Sequence, residues 1–360
     1  MLTAYTAEKI FTGNEWLHHH AVIVKDEIIL EVVPADSLQK DIPVFQSHIL
    51  APAFIDIQIY GAREQLFSVY QNTESLAKLY EHCVSGGAKH FLPTVATNTY
   101  EVFYKCIDAI KLYWQQNGKG VIGLHIEGPW INKIKRGAHI ESLIHSPTIE
   151  EVKELLEYGK GVIKMITLAP EVCSKEVIEL IRYFNIIISA GHSNATFDEA
   201  TNAFDNGIKT CTHLFNAMSP LNHREPGLPG AILQHDDVMC SIIPDGFHVD
   251  FEMISIAKKI MKERLFIITD AVTETDKGLY PHKLEGDKYV SEGTLSGSAL
   301  TMIKAVKNCV EKVNIDLAEA LRMASLYPAK VLGLEDELGM IKAGYKANFV
   351  LLDEELNVGN

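Results

Sequence analysis

The chain has 360 residues, of which 47% are hydrophobic and 22% are charged, a composition typical of a globular protein with a large core. Its formal net charge of -14 argues against nucleic acid or an anionic membrane as the main partner, because both select basic surfaces. No apolar run is long enough to cross a bilayer, and the start, MLTAYTAEKIF, lacks the pattern of a signal peptide. Because the six cysteines include no CxxC pair, we expect reduced thiols and a cytoplasmic location.

The two ends of the chain predict a small domain of their own. Residues 1–50 have the pattern of short antiparallel strands, and the segment LGMIKAGYKANFVLLD near the C-terminus is again strand-like. We therefore predict that residues 1–50 and 335–360 form one small β-sandwich domain beside a larger domain of residues 51–334.

In the larger domain, short β-rich runs alternate with amphipathic stretches of helical length. The predicted strands are 53–60, 90–95, 121–126, 162–168, 186–190, 208–213, 239–243 and 265–269. The predicted helices are 74–86, 100–116, 149–159, 174–184, 195–206, 250–263, 299–312 and 316–326. This alternation predicts parallel pairing, and eight strands favour an α/β fold of the (β/α)8 barrel type. An open, doubly wound sheet would need a glycine-rich loop after the first strand, and IYGAREQ is not one.

The first barrel strand, AFIDIQIYGA, is unusual because one of its faces is polar. Side chains alternate along a strand, so Asp56, Gln58 and Tyr60 should share a face opposite three isoleucines. We expect Asp56 to anchor the strand through hydrogen bonds.

Candidate metal ligands follow several of the predicted strands, where chemistry gathers in such barrels. Glu127, His192 and His213 supply two imidazoles and one carboxylate, a set that suits zinc or a similar divalent ion with an open position for water. Cys211 precedes His213 by two residues and is either a soft ligand or a buried filler. The run His18–His20 lies in the small domain and is predicted to be exposed.

Other polar groups at the same strand ends predict acid-base chemistry and an anionic substrate. Asp270 ends the eighth strand, and a carboxylate there would serve as a general base for water. His139 is a candidate for polarising a substrate carbonyl. Arg224 and His248 are cationic or potentially cationic groups that suit a phosphate, or they form ion pairs at the barrel rim.

Seven motifs occur in uninterrupted order between about Ala51 and Asp353: HIEGPWIN, KRGAH, GHSNAT, THLFNAMSPLNHREPG, DGFHVD, TDA and GTLSGSALTM. Together they resemble the N-acetylglucosamine-6-phosphate deacetylase family of the amidohydrolase superfamily. GHSNAT and THLFNAM are specific to that family. The resemblance implies a metal-dependent hydrolase of amino-sugar catabolism, which removes the acetyl group from N-acetyl-D-glucosamine 6-phosphate to give D-glucosamine 6-phosphate and acetate.

The resemblance also implies roles for the residues at matching positions. Glu127, His192 and His213 are the implied metal ligands. Asp270 is the implied catalytic acid/base, and His139 the histidine that polarises the acetamide carbonyl. The implied substrate-binding positions are Ala138, Asn216, Ala217, Arg224, Asp245, Gly246, Phe247, His248, Leu295, Ser296 and Gly297, where the last three are expected to form a turn. Among these, Arg224 and His248 are the implied phosphate contacts.

The implied cofactor is one divalent ion per subunit, with zinc as the first choice and Fe²⁺, Co²⁺ or Mn²⁺ as alternatives, and the implied assembly is a homodimer or homotetramer. Many amidohydrolases carry His-x-His at the end of the first strand, where it binds a second ion. This chain has Gln58 and Tyr60 there, and neither is a good zinc ligand. Gln58 is instead expected to hydrogen-bond a metal ligand or the attacking water. We therefore predict one ion per active site.

Three alternatives remain open from the sequence. The same chemistry on the galacto epimer, N-acetylgalactosamine 6-phosphate, would differ only in contacts to the 4-hydroxyl of the sugar. A deaminase or D-aminoacylase would not explain GHSNAT together with Arg224 and the DGFH run. A non-catalytic scaffold is disfavoured because the three ligands and Asp270 are all present.

Overall fold

The computed structural model of the chain describes residues 2–39 and 41–359. The strands of these residues are β1 (Leu2–Phe11), β2 (Trp16–Lys25), β3 (Ile28–Pro34), β4 (Val44–Pro52), β5 (Phe54–Ile59), β6 (Gly61–Ala62), β7 (Gln65–Leu66), β8 (Ala88–Ala96), β9 (Leu124–Glu127), β10 (Ile163–Leu168), β11 (Ile187–Ala190), β12 (Thr210–Cys211), β13 (Met239–Ile242), β14 (Leu265–Ile267), β15 (Lys283–Glu285), β16 (Lys288–Ser291), β17 (Thr294–Ser298) and β18 (Phe349–Leu352).

The α-helices of the same residues are α1 (Thr73–Ser85), α2 (Tyr100–Gln115), α3 (Ile149–Tyr158), α4 (Lys175–Tyr183), α5 (Phe197–Asp205), α6 (Gly227–Gln234), α7 (Phe251–Met261), α8 (Met302–Glu311), α9 (Leu317–Ala324) and α10 (Leu326–Leu332). None of the helices in the described ranges is long and apolar enough to cross a membrane.

Residues near both chain ends build one five-stranded sheet, in the order β18-β4-β1-β2-β3. β1 runs antiparallel to β2 and parallel to β4, and β18 completes the sheet by pairing antiparallel with β4. Side chains of this sheet pack into a separate small core that includes Ile10, Val22, Leu50 and Phe349. The sheet therefore confirms that the two ends of the chain fold together beside the barrel.

The predicted α/β barrel is confirmed. All eight predicted barrel strands form, and they pair in parallel in the chain order β5, β8, β9, β10, β11, β12, β13, β14. Helices cover the outside of this sheet, and their apolar faces pack with the strands into the main core of the molecule. The carboxyl ends of all eight strands therefore point to one mouth, where the candidate site residues lie.

The first and last barrel strands meet beside that mouth. Ile59 of β5 forms a parallel bridge with Ala271, which follows β14. The backbone N–H of Asp270 donates to the carbonyl of Gln58 over 3.0 Å, and the N–H of Tyr60 donates to the carbonyl of Ala271 over 2.9 Å. We call these contacts the seam of the barrel, because they join the two ends of the strand series.

Asp56 anchors β5 as expected, but the predicted strict alternation of β5 is wrong at this residue. The register of β5 against β8 shifts between Asp56 and Ile59, and these two residues border a small cavity against α1 and the start of α8. The Asp56 carboxylate accepts hydrogen bonds from the hydroxyl of Thr269 over 2.5 Å and from the N–H groups of Thr269 and Gln58 over 3.3 Å. It thus ties β5 to the segment after β14 without reaching the candidate metal ligands.

Several elements of the barrel domain were not predicted, among them α6 and the three strands of an inserted sheet. α6 lies between β12 and β13, and its sequence GLPGAILQ contains two glycines and a proline. β15, β16 and β17 form an antiparallel sheet inserted between β14 and α8. Leu295, Ser296 and Gly297, expected in a turn, instead belong to β17.

Candidate active site

Four buried titratable side chains meet at the mouth of the barrel. Glu127 is the last residue of β9, and His192 and His213 each come two residues after the ends of β11 and β12. Asp270 comes three residues after β14. Each of the four is at least nine-tenths buried.

Three of these residues have left-handed backbone, which non-glycine residues rarely adopt. The φ angles are +47° at His192, +37° at His213 and +53° at Asp270. Such a conformation costs about 1–3 kcal/mol per residue and persists only where the surrounding structure fixes it. The chain therefore turns sharply after each strand and directs these side chains over the mouth.

The GHSNAT motif fixes one of these turns through its neighbouring residues. The hydroxyl of Ser193 and the backbone N–H of Asn194 both donate to the Glu171 carboxylate, over 2.7 and 2.6 Å. Thr196 is the N-cap of α5 and forms a capping box with Glu199. The loop that carries His192 is thus held between the partly buried Glu171 carboxylate and the start of α5.

The donor atoms of Glu127, His192 and His213 have the spacing of metal ligands. Glu127 Oε1 lies 3.2 Å from His213 Nε2 and 3.3 Å from His192 Nε2, and the two Nε2 atoms lie 3.1 Å apart. Ligands placed tetrahedrally at the usual zinc distances lie about 3.3 Å from one another. These three residues therefore fit a divalent ion.

The hydrogen bond on the far side of His192 selects its tautomer. Its Nδ1 lies 2.9 Å from the carbonyl oxygen of Lys135, which only accepts hydrogen bonds, so Nδ1 carries the proton. The lone pair of Nε2 then faces the cluster. This arrangement is that of a histidine prepared to bind a metal.

The charge of Glu127 is stabilised by its neighbours. Burial alone would raise the pKa of this carboxyl, but His192, His139 and His213 together hold the pKa well below its usual value. Glu127 is therefore an anion at neutral pH, as a carboxylate ligand must be.

Gln58 and Tyr60 contact the same carboxylate from the β5 side, and both donate hydrogen bonds. The side-chain amide of Gln58 donates to Glu127 Oε1 over 3.0 Å, as predicted for this residue, and to Asp270 Oδ1 over 2.8 Å. The hydroxyl of Tyr60 donates to Glu127 Oε2. Burial, followed by the charges of Glu127 and Asp270, raises the pKa of Tyr60 well above its usual value, so this phenol keeps its proton.

Asp270 combines a buried carboxylate with a fixed hydrogen bond. Burial raises its pKa above the usual value, although His213 acts in the opposite direction. The bond from Gln58 holds one carboxylate oxygen. A carboxyl with a raised pKa near a cluster of histidines has the properties of a general base.

His139 joins the cluster from the loop after β9. Its Nε2 lies 3.3 Å from Glu127 Oε2, and its Nδ1 lies 2.7 Å from the hydroxyl of Thr97. Burial lowers the pKa of His139 to about 4, so the ring is neutral at pH 7. Its donor atom also falls within ligand range of Glu127 and His192, so His139 borders the ion position directly.

A chain of hydrogen bonds runs through the barrel interior, and sequence reasoning missed it. His125 Nδ1 lies 3.0 Å from the carbonyl oxygen of Ile57, so Nδ1 carries the proton and the hydroxyl of Thr167 must donate to Nε2 over 2.8 Å. Thr167 then accepts from Thr212 over 2.8 Å, and Thr212 accepts from Ser189 over 2.5 Å. The hydrogen bonds thus have one direction and link β5, β9, β10, β11 and the residue after β12, near Glu127.

The cluster opens into a cavity of about 180 Å³. Residues that line it include Glu127, His139, His192, His213 and Asp270, together with the predicted substrate positions Ala138, Asn216, Ala217, His248, Leu295, Ser296 and Gly297. Gly297 has φ +147°, and a Cβ at this residue would lie 2.6 Å from Val272 Cγ1. Only glycine therefore lets β17 approach the cavity this closely.

The family described as the Amidohydrolase family matches residues 49–358. The chain belongs to the amidohydrolase family. A NagA composite domain matches residues 3–46. Amidohydrolases are metal-dependent, and the cluster around Glu127 supplies ligands of the required kind.

This amidohydrolase is similar to known enzymes over nearly its whole length. An N-acetylglucosamine-6-phosphate deacetylase of Haemophilus influenzae is 35% identical over 362 residues, with 97% of this chain and 94% of the relative covered. An N-acetylgalactosamine-6-phosphate deacetylase of Escherichia coli O157:H7 is 31% identical, with 98% and 95% covered. The crystal structure of N-acetylglucosamine-6-phosphate deacetylase from Pasteurella multocida matches with a TM-score of 0.95 at 33% identity, with 99% and 97% covered.

The residues of the DGFH run differ in their relation to the cavity. The Asp245 carboxylate accepts from the N–H groups of Phe247 and His248 over 2.8 Å and lies 2.6 Å from His248 Nδ1. Of this run, His248 lines the cavity, whereas Phe247 is 49% exposed and Gly246 forms the turn with φ +78°. Asp245 therefore orients His248 instead of facing the cavity.

Other residues singled out in the sequence lie outside the cavity. Arg224 is exposed and lines a separate groove with Asn194 and Glu225, so the structure does not bring it to the cluster. Cys211 is buried at the end of β12 and does not line the cavity. In the run His18–His20 on β2, the first two residues are exposed, as expected.

Tyr280 and His282 line the cavity of the amidohydrolase, and sequence reasoning missed both. They lie in the segment GLYPHKLEG, which precedes and enters the inserted sheet. An aromatic residue and a histidine between two glycines could have indicated a binding loop. Their contacts, however, depend on how this insertion folds back over the mouth of the barrel.

Proposed function

We propose that this amidohydrolase removes the acetyl group from N-acetyl-D-glucosamine 6-phosphate and releases D-glucosamine 6-phosphate and acetate. The observation that carries the proposal is one cavity lined both by the cluster of Glu127, His192 and His213 and by Asp270 and His248. The cluster suits hydrolysis of an amide. Asp270 offers a base, and His248 offers a contact for an anion. Sequence similarity to deacetylases of this substrate supports the same activity.

The cluster is the proposed place of the acetamide group. Glu127, His192 and His213 would hold one divalent ion, and that ion would supply Lewis-acid activation of water and of the amide carbonyl. Tyr60 and Gln58 orient the Glu127 carboxylate by hydrogen bonds. Burial of these groups excludes bulk water from the reacting atoms.

Asp270 is the proposed acid and base. It takes a proton from the attacking water as the new C–O bond forms at the acetyl carbon. It then delivers that proton to the nitrogen as the C–N bond breaks, which releases the amine and acetate. Its raised pKa favours the second step, and its hydrogen bond from Gln58 keeps one oxygen in place.

His139 is the proposed partner of the acetyl oxygen. The neutral ring is held through Nδ1 by Thr97 and borders the cluster through Nε2. In the transition state, negative charge develops on the acetyl oxygen, and one positioned donor commonly stabilises such charge by about 3 kcal/mol. We propose that His139 supplies this donor.

The 6-phosphate is proposed to lie at the part of the cavity formed by His248, Asn216 and Ala217. His248 is held by Asp245, so its ring has a fixed orientation. We retain Arg224 as a proposed phosphate contact, although it is exposed outside the cavity in this chain. Arg224→Ala tests it: a phosphate contact predicts a raised KM, and an unchanged KM removes this residue from the proposal.

The galacto epimer is a second candidate substrate, because a relative of almost the same identity is an N-acetylgalactosamine-6-phosphate deacetylase. The deciding experiment measures acetate release from both 6-phosphates, with and without a chelator. We expect hydrolysis that the chelator abolishes and that added divalent ion restores. If neither sugar is hydrolysed by the metal-loaded protein, the proposed function is wrong and the scaffold alternative gains.

The finer parts of the proposal concern the ion, the compartment and the assembly. Two imidazoles and one carboxylate favour zinc, at one ion per chain. The six free cysteines are consistent with a cytoplasmic enzyme. We also propose a homodimer or homotetramer, with domain boundaries at residues 51 and 334. Metal analysis and light scattering of the purified protein test the ion and the assembly.

A further inference from the structure

The segment that follows Asp270 brings His282 to the wall of the cavity. Thr275 and His282 pair through two backbone hydrogen bonds of 3.0 and 2.9 Å, just before β15 begins. His282 is only 6% exposed, and it lines the cavity beside Tyr280 and Ser296. The mechanism proposed above assigns it no function.

The imidazole of His282 is fixed on one side and open on the other. Its Nδ1 lies 2.8 Å from the hydroxyl of Ser296. Its Nε2 makes no hydrogen bond with the residues that the structure describes and is not one of their buried unpaired atoms, so it remains accessible to a ligand. Burial lowers the pKa of His282 to about 4, so the ring is neutral and suits a hydroxyl group better than a phosphate.

The position of His282 relative to the cluster indicates which hydroxyl it meets. The ring of Tyr280 lies 6.3 Å from the ring of His139, and the ring of His282 stacks a further 6.4 Å from Tyr280. His282 is therefore one ring removed from the place of the acetamide, which is attached to C2 of the sugar. The free hydroxyls of the sugar are on C1, C3 and C4. C1 and C3 are bonded to C2, so their hydroxyls lie nearest the cluster, and the 4-hydroxyl is the free hydroxyl farthest from the acetamide.

We propose that His282 hydrogen-bonds the 4-hydroxyl of the sugar and thereby sets the preference between the gluco and galacto epimers. This inference rests on the proposed function and names the residue that decides its substrate. The two epimers differ only in the direction of this hydroxyl, so a fixed imidazole meets one of them and misses the other. His248 keeps the anionic end of the substrate, and His282 recognises an uncharged group.

The test compares two substrates in one preparation of each variant. kcat/KM is measured for both epimers with the wild-type enzyme, His282→Phe and Tyr280→Phe. A neutral hydrogen bond changes the ratio of the two constants by about tenfold. We expect His282→Phe to move the epimer ratio toward one by about this factor. Because both constants come from one preparation, a partly folded variant does not change the ratio.

Tyr280→Phe is the matched control, because the Tyr280 hydroxyl already donates to the carbonyl of Thr97 over 2.5 Å. This variant should keep the wild-type ratio. A 4-deoxy analogue of the preferred sugar adds a second measurement: His282→Phe should lower kcat/KM for the parent sugar but leave the analogue almost unchanged.

Two results overturn the assignment of His282. One is an unchanged epimer ratio in His282→Phe, and the other is an equal loss on the parent sugar and its 4-deoxy analogue. If the metal-loaded wild-type enzyme hydrolyses neither epimer, the proposed function itself fails, and the inference about His282 fails with it.

Discussion

The Glu127 carboxylate has two chemically different sides. On the histidine side, His192 and His213 bring two imidazole nitrogens within 3.3 Å of Oε1. On the β5 side, Gln58 and Tyr60 donate hydrogen bonds to the same carboxylate. One side therefore offers lone pairs to a cation, and the other side offers protons.

This difference supports the proposal of one ion per active site. A second ion on the β5 side would have to displace the N–H of Gln58 and the O–H of Tyr60, and a phenol with a strongly raised pKa does not become a ligand at neutral pH. The same two hydrogen bonds orient the Glu127 carboxylate, as residues that contact metal ligands commonly do. The predictions below separate the two sides.

Removing a ligand on the histidine side should have the largest effect. We expect His192→Asn to lose the ion and all measurable deacetylation, with metal affinity falling by more than the roughly 10–100-fold typical of outer-shell changes. Asparagine tolerates left-handed backbone, so this variant should still fold. Metal content per chain and activity check the prediction. An active variant with one ion per chain would remove His192 from the ligand set.

Substitution of Asp270, which contacts the β5 side through Gln58, should have the second largest effect. We expect Asp270→Asn to keep the bound ion and lower kcat by about 10²–10⁴, the usual range for general acid-base catalysis. Asparagine is again matched to the left-handed backbone at φ +53°. Kinetics together with metal analysis distinguish the two effects, and retained turnover would refute the assigned role.

Tyr60→Phe removes one donor from the β5 side and should have a smaller effect. The ring stays, and Glu127 loses the hydrogen bond on Oε2. We expect metal affinity and kcat/KM to fall by about tenfold, the low end for outer-shell changes, with one ion still bound at saturation. Two ions per chain, either here or in the wild-type enzyme, would contradict the assignment of the β5 side.

The smallest effect should come from Asp56, behind Gln58 on β5. Burial raises the pKa of this carboxyl to about 7 in the folded state, against about 3.9 in an unfolded chain. The protonated form thus stabilises the folded state fully below about pH 4, and this stabilisation disappears as the pH rises through 7. We expect the Tm of Asp56→Asn, relative to wild type, to rise between pH 5 and 8. A constant difference would show that Asp56 does not titrate there.

The barrel was predictable because its signals are local. Each strand is a short β-rich run, and each helix repeats its apolar residues with a helical period. The candidate ligands could be placed together because the carboxyl ends of parallel strands share one mouth. The hydrogen bond from Gln58 to Glu127 was expected from the resemblance, because Gln58 takes a position where many amidohydrolases have a metal-binding histidine.

The unpredicted features depend on contacts between distant segments. α6 contains two glycines and a proline, which lower helix propensity, and its buried apolar face compensates. The prediction that Asp56 shares a face with Gln58 and Tyr60 was wrong, because the register of β5 shifts against β8. The positions of Arg224, outside the cavity, and of His282, at its wall, depend on the paths of long loops. Such loops have no periodic sequence pattern from which their paths could be predicted.

The seam of the barrel affects the order in which metal binding and catalysis become possible during folding. Gln58 and Asp270 are 212 residues apart, and their contact joins the first strand to the last. We expect this contact to form late in folding, since a long loop must close before it gains any energy. A nascent chain would therefore carry all three ligands before it has a working site. We therefore expect catalysis only after the first and last strands have met, so activity should report a completed barrel more faithfully than metal binding does.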